Sequence, residues 1–288
     1  MAEPITPGAL LRRIPSGTID AERHLWGFGG LHGGLTLALL TSVMRRDAPG
    51  PARLRSATIR FHLPLSEPFG IETEVLRQGK VTTLAARAGS DGVVHADASA
   101  IFGADRQAAS LAFAPPAPPA PPPSDCERFR IPPEFVPISS FMEIRPVGPN
   151  RPYAGCAEPE LTAWIRLAED DEPPDAYRLI TLMDALAPSY AAVLTELQLI
   201  PTVELTVRPG QGAAQASSPW TLLHARTRWT EADGWLEEQI DAWDPAGAHL
   251  ASAHQLRLVR ASGVSQPESG RTDDPSRSVS TTRESPPG

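Results

Sequence analysis

Lysine and cysteine are nearly absent from this chain. Lys80 is the only lysine, so the other 25 of the 26 basic residues are arginines, and Cys126 and Cys156 are the only cysteines. Two cysteines in separate loop-like stretches are too few for a disulfide framework or a zinc site. A metal-free protein of a reducing, cytoplasmic compartment is expected. No run of basic residues occurs, and a formal charge of −8 opposes the phosphate attraction a nucleic-acid binder needs. The start, Met1-Ala-Glu-Pro-Ile5, lacks the basic and apolar regions of an export signal, and the longest apolar run, Leu35 to Met44, is about half a membrane span. Neither export nor membrane insertion is expected. No Gly-x-Ser-x-Gly elbow is present, which speaks against an activated serine of the α/β-hydrolase kind. The run Gly27-Phe-Gly-Gly-Leu-His-Gly33 approaches a dinucleotide-loop spacing, but the third required glycine falls on His32 and no βαβ unit follows.

What is present is a chain of 288 residues, 41% hydrophobic, long enough for two medium domains. The clearest boundary is Ala114-Pro-Pro-Ala-Pro-Pro-Ala-Pro-Pro-Pro-Ser124, where clustered prolines favour an extended, semi-rigid spacer. Residues 1–11 read as a lead-in, 12–113 as the first domain, 114–126 as the linker and 127–261 as the second domain. Residues 262–288 have almost no large apolar side chains and read as a disordered tail.

The first domain opens with a nearly all-apolar helix from Gly33 to Arg46, closed by two arginines. Four strand-like segments follow: Arg53 to Leu65, Ile71 to Arg77, Val81 to Ala88 and Val93 to Phe102. The first of them alternates, with Ile59, Phe61 and Leu63 against Thr58, Arg60 and His62. The second domain repeats the order, with a helix from Tyr177 to Leu194 and strands near Thr202 to Arg208, Trp220 to Trp229, Trp235 to Trp243 and Leu250 to Val259. Sliding the chain by 155 positions lays Gly92 on Gly247, Ala96 on Ala251 and Ala100 on Gln255. The halves thus read as one duplicated pattern in which a polar position has diverged, and polar groups in one half suggest a single site. A helix followed by four antiparallel strands, twice, is an α+β arrangement in which each sheet wraps a central helix: a tandem, or double, hotdog.

Several stretches carry a further resemblance: Trp26-Gly-Phe-Gly-Gly30, Val75-Leu-Arg-Gln-Gly-Lys80, Leu182-Met-Asp184, Pro201-Thr-Val-Glu-Leu-Thr206 and Leu250-Ala-Ser-Ala-His-Gln255. In that order and spacing, over residues 12–261, they resemble the double-hotdog acyl-CoA thioesterases. The resemblance implies hydrolysis of acyl-CoA by a directly attacking water, positioned by an Asp of the second helix, a Thr or Ser opening the next strand and a Gln of the last strand. Those positions match Asp184, Thr202 and Gln255. A thiolate is a good leaving group, so no covalent nucleophile is needed, and no metal or other cofactor is implied. Backbone donors for the oxyanion are sought at the glycine-rich helix start, Gly30, Gly33 and Gly34. Basic partners for the CoA phosphates are sought among Arg55, Arg60, Arg77 and Lys80. The family also implies a homodimer or higher homo-oligomer.

Asp184 sits amid Leu182, Met183, Ala185 and Leu186, an awkward place for a charge outside a site. Gln255 in an alternating strand would ordinarily face solvent, and it is the contrast with Ala100 that singles it out. Thr202 rests on the resemblance, with Thr206 on the same strand face as an alternative. His62, His95, His249 and His254 lie in or beside strands without metal spacing and read as exposed strand histidines. Two rivals to hydrolysis are a non-catalytic acyl-CoA or lipid-binding module and a hotdog hydratase or dehydratase on CoA esters. The latter wants an Asp-x-Asn-Pro-x-His run that the chain does not have.

Overall fold

The computed structural model describes residues 4–13, 17–20, 22–105 and 111–260, so the expected tail lies outside the described residues. Ten strands are formed: β1 (Arg53–Phe61), β2 (Gly70–Arg77), β3 (Val81–Ser90), β4 (Val93–Gly103), β5 (Met142–Val147), β6 (Glu160–Leu167), β7 (Thr202–Pro209), β8 (Thr221–Thr230), β9 (Trp235–Trp243) and β10 (His249–Leu258). They make one sheet in the order β2-β3-β4-β1-β7-β10-β9-β8-β6-β5, with every pairing antiparallel. The order β2-β3-β4-β1 is mirrored by β7-β10-β9-β8, and the halves meet where Thr58 faces Thr206, their hydroxyls 2.9 Å apart. The fold is the expected α+β double hotdog.

The central helix of the first half, α2 (Gly33–Asp47), is apolar nearly all round, and Leu35, Leu37, Leu39, Leu40 and Met44 are wholly buried. It lies against β1 to β4 and touches α3 (Ala176–Leu182), which packs on β6 and β7. A short helix, α1 (Pro7–Arg12), capped by the Thr6 hydroxyl and unforeseen in the sequence, rests on both. No helix among the described residues is long and apolar enough to cross a membrane.

The expected helix from Tyr177 to Leu194 is interrupted. α3 ends at Leu182, tightens through Asp184 N–H to Thr181 O and Ala185 N–H to Leu182 O, and only a short 3-10 turn, Ser189–Ala192, follows. Pro188 bars a continuous helix to Leu194: it lacks an N–H and disfavours helical backbone in the residue before it. β1 likewise stops at Phe61 rather than Leu65. The N–H groups of His62 and Leu63 share the single carbonyl of His95, the alternation breaks, and Leu63 faces solvent instead of the core. β5 and β6 are additional to the expected strands; β5 is an edge strand carrying Pro146, where a missing donor costs no pairing.

The Pro-rich segment does not hang free between the halves. Trp243 Nε1 donates to Pro115 O (2.9 Å) and Trp164 Nε1 to Pro121 O (2.8 Å), while Arg145 donates to the carbonyl of Pro123 (2.8 Å). A proline-rich strand cannot pair with a sheet, but its carbonyls remain good acceptors. The segment is thereby strapped across the second half, where Ala120 packs with Cys126, Trp164, Leu222 and Trp220.

Candidate active site

The helix crossing brings the first polar group into the core. Gly34 donates its backbone N–H to Asp184 Oδ2 at 2.8 Å, joining the start of α2 to the turn after α3. A Cβ on Gly33 would lie 2.7 Å from Asp184 Oδ2, and one on Gly34 would lie 2.8 Å from Asp184 Cβ and from Thr181 O. Only glycines permit this approach. His32 caps the same helix: Leu35 N–H donates to His32 Nδ1 (3.3 Å). With Nδ1 accepting, the ring proton of the neutral tautomer sits on Nε2, which lies 3.1 Å from Asp184 O and donates to it.

The strands bring in the rest. Gln255 on β10 is wholly buried; its Nε2 donates to Asp184 Oδ1 at 3.0 Å and its Oε1 accepts from Thr202 Oγ1 at 2.9 Å. A carboxylate only accepts, so the amide is oriented by its partners: nitrogen toward Asp184, oxygen toward the hydroxyl. The structure thus brings Asp184, Thr202 and Gln255 into one hydrogen-bonded chain, Thr202 to Gln255 to Asp184. Each carboxylate oxygen retains lone-pair capacity, the second Gln255 N–H is not used in the chain, and the Thr202 oxygen can still accept. Thr206 is elsewhere, bonded to Thr58.

Of the glycine candidates, Gly34 has its N–H committed to Asp184 and Gly30 O accepts from Gly27 N–H in a turn packed on the backbone of Leu65. The Gly33 N–H makes no such bond among the described residues. Of the basic candidates, Arg60 is paired with Asp97 (3.0 Å) and Glu204 (3.1 Å), and Arg55 with Asp105 (2.8 Å) and the carbonyls of Gly103 and Ala104. Arg77 and Lys80 are exposed at the β2–β3 turn. None of the four makes a hydrogen bond or ion pair with Asp184, Thr202 or Gln255. No cluster among the described residues has the ligands for a metal ion.

Two buried charges went unremarked in the sequence. Arg257 Nη2 lies 3.9 Å from Asp184 Oδ1, Arg257 Nε donates to Glu238 Oε2 (2.8 Å), and Glu238 Oε1 accepts from Ser189 N–H. Period-two alternation held the signal: Leu236, Glu238, Ile240 and Ala242 share one face of β9, and Arg257 shares a face with Gln255. His32, the N-cap, was likewise missed as a member of this network. A small apolar slot of about 30 Å³ opens beside Leu186 and Ala187, facing Ile131, Ile144 and Leu161, and is lined by no member of the network. A broad surface depression of about 640 Å³, lined in part by Asp20, Glu22 and Arg23, includes no member of the network.

Residues 23–103 match the family model described as the acyl-CoA thioesterase N-terminal domain, and residues 113–259 match that of the acyl-CoA thioesterase C-terminal domain. No curated protein sequence matches the chain. Among solved structures, a conserved protein of unknown function with hot dog fold from Alicyclobacillus acidocaldarius is similar with a TM-score of 0.77 at 23% identity, covering 85% of this chain and 92% of that one. A putative thioesterase II from Thermobifida fusca gives a TM-score of 0.72 at 23% identity over 84% of this chain and 92% of its own. An acyl-CoA thioesterase II from Mycobacterium marinum gives 0.66 at 18% identity over 84% and 92%. At these identities the structures share the fold with this chain.

Proposed function

The chain belongs to the acyl-CoA thioesterase family, and on that premise we propose that it hydrolyses an acyl-CoA thioester by direct attack of a water held at Asp184, Thr202 and Gln255. The observation that carries this reading is the Thr202–Gln255–Asp184 chain, in which a wholly buried amide is spent on linking a hydroxyl to a carboxylate. A water beside this chain donates to the carboxylate and accepts from the free Gln255 N–H, which aims its oxygen lone pair at the carbonyl carbon. The C–O bond forms and Asp184 takes the water proton. The Gly33 N–H faces the developing oxyanion at the α2 N-terminus. Collapse breaks the C–S bond, and the proton passes to the departing thiolate, giving free acid and coenzyme A. Arg77 and Lys80, exposed at the β2–β3 turn, are free to meet the CoA phosphates. β2 is exposed along nearly all its length at a sheet edge, where a second copy can pair. A cytoplasmic homodimer, checked by light scattering and fractionation, is part of this reading.

The test is CoA release from a panel of short, long, branched and aromatic acyl-CoAs by the wild type and by Asp184→Asn. Turnover that falls by about two orders of magnitude or more in the variant, the scale of a lost general base, supports both reaction and site. Unchanged turnover in the variant removes Asp184 from the mechanism. No release from any ester, by a folded protein that binds acyl-CoA, replaces hydrolysis with a non-catalytic binding role.

A further inference from the structure

Resting on the thioesterase reading above, we propose that Arg257, clamped by Glu238, is a positioning residue of this site: it holds the Asp184 carboxylate and the backbone entering Thr202 in the arrangement that Gln255 completes. Arg257 lies beside each part. Its Nη2 is 3.9 Å from Asp184 Oδ1, its Nη1 donates to Ile200 O (3.3 Å) two residues before Thr202, and it lies two residues from Gln255 on β10. Glu238 in turn accepts the Ser189 N–H and so ties down the far end of the turn that carries Asp184. The three groups of the site come from three chain segments, and Arg257, on the strand of Gln255, reaches toward the other two with its guanidinium.

The burial of this pair calls for a reason, because Glu238 is 1% and Arg257 5% exposed. Two charges in a core are seldom the most stable filling; apolar side chains of similar volume commonly do as well or better. The first half of this same chain holds that alternative. Across β10, Gln255 faces Glu238 on β9 and Arg257 faces Thr202 on β7. Across β4, Ala100 faces Leu84 on β3 and Phe102 faces Leu54 on β1. The pairings correspond one to one, down to a register irregularity beside Arg257 in one half and Leu54 in the other. Ala100, Leu84, Phe102 and Leu54 are all buried. The same sheet is therefore built without any polar group at these four positions. Where the site lies, all four are polar together, and Glu238 and Arg257 fall in that set with Gln255 and Thr202. A purely structural ion pair has no cause to appear only there.

The test follows from the duplication. The double variant Glu238→Leu/Arg257→Phe installs the first half's own residues. A positioning role predicts a folded protein with a melting temperature near or above that of the wild type, kcat lower by about tenfold or more, and KM within about threefold, because misplacing a held group chiefly affects the chemical step. Arg257→Lys, which keeps the charge and loses the planar fork, is expected to fall between the double variant and the wild type. A folded double variant with kcat within about threefold of the wild type, or with only KM altered, overturns the proposal. If the double variant does not fold, the lysine variant decides: kcat reduced at unchanged KM supports the role, and unchanged kcat overturns it. A wild type inactive on every ester removes the thioesterase reading and this inference with it, whereas an active wild type with indifferent variants removes this inference alone.

Discussion

Gly34 and Asp184 lock the two central helices together: the glycine N–H donates to the carboxylate at 2.8 Å, and an added Cβ would lie 2.8 Å from Asp184 Cβ and Thr181 O and 2.9 Å from Ile180 O. Two of those atoms are backbone and cannot swing away. Gly34→Ala should therefore separate α2 from α3 and shift Asp184, at about 1–3 kcal/mol of overpacking. For a chain of this size that corresponds to a melting temperature lower by very roughly 2–4 °C per kcal/mol. Calorimetry together with CoA release checks both halves of the expectation. A variant that melts like the wild type and keeps its turnover would contradict so close a crossing of α2 and α3.

Gln255 is where the duplication and the chemistry meet, since Ala100 fills the corresponding position. Gln255→Ala removes both the amide that steers Asp184 and the acceptor for Thr202, leaving buried polar groups unpaired at about 1–3 kcal/mol. Its kcat is expected to fall by roughly a hundredfold, as for other positioned hydrogen-bonding groups, with KM little changed. The converse, Ala100→Gln, puts an amide among Leu84, Ala57 and Phe102 with nothing to bond. That variant should lose stability by a few kcal/mol and gain no activity. Equal effects of the two substitutions would mean that the halves are not chemically distinct.

How much of this was legible in the sequence follows from which signals are local. The strands β1 to β4 and β7 to β10 announce themselves through alternation and turn residues, and the duplicated hairpins point to Gln255. Asp184 stands out as a charge in an apolar run. The break after α3 was concealed because Ala185 to Leu194 keeps a helical hydrophobic pattern, although Pro188 within it bars a continuous helix. β5 is short and carries a proline, so its strand character depends on pairing with β6. Glu238 was hidden by its neighbour: beside Glu237 it reads as part of a solvated acidic stretch, and only the register decides that one faces in and the other out. His32 was weighed as an interruption of a glycine motif, yet its place at the helix N-cap is set by the tertiary contact with Asp184.

The strap gives a prediction independent of catalysis. Trp164→Phe and Trp243→Phe keep most of the ring's packing and remove the indole N–H that donates to Pro121 O or Pro115 O. Each loss is worth about 1 kcal/mol, so the double variant should melt several degrees lower. Protease nicking should then appear within residues 111–122 before the rest of the chain is cut, as expected when a segment opens locally. Cleavage that begins elsewhere would show that these bonds do not hold the segment down.

Acid sensitivity should have a specific source at the other end of the sheet. Burial raises the carboxyl pKa of Glu143, but hydrogen bonds from Arg145 and Arg166 outweigh it and hold the group below its ordinary value. Both guanidiniums also sit 5.2 Å from the centre of the Trp220 ring, so the carboxylate orders an aromatic contact as well as two charges. A carboxylate depressed in the folded state contributes stability that is fully present above its unfolded pKa, about 4.3, and is lost as the pH falls through the lower folded value. The wild type should accordingly lose stability on acidification below about pH 4.3. Glu143→Gln should be less stable at neutral pH by roughly 1–3 kcal/mol, between the surface and buried limits for an ion pair, and its melting temperature should fall less steeply in acid. Trp220 fluorescence should follow the same transition, because protonating Glu143 removes the carboxylate shared by the two arginines that flank the ring. Parallel acid profiles for wild type and variant would assign the sensitivity to other depressed carboxylates, Glu160, Asp170 and Asp241, each held down by hydrogen bonds from neighbouring side chains.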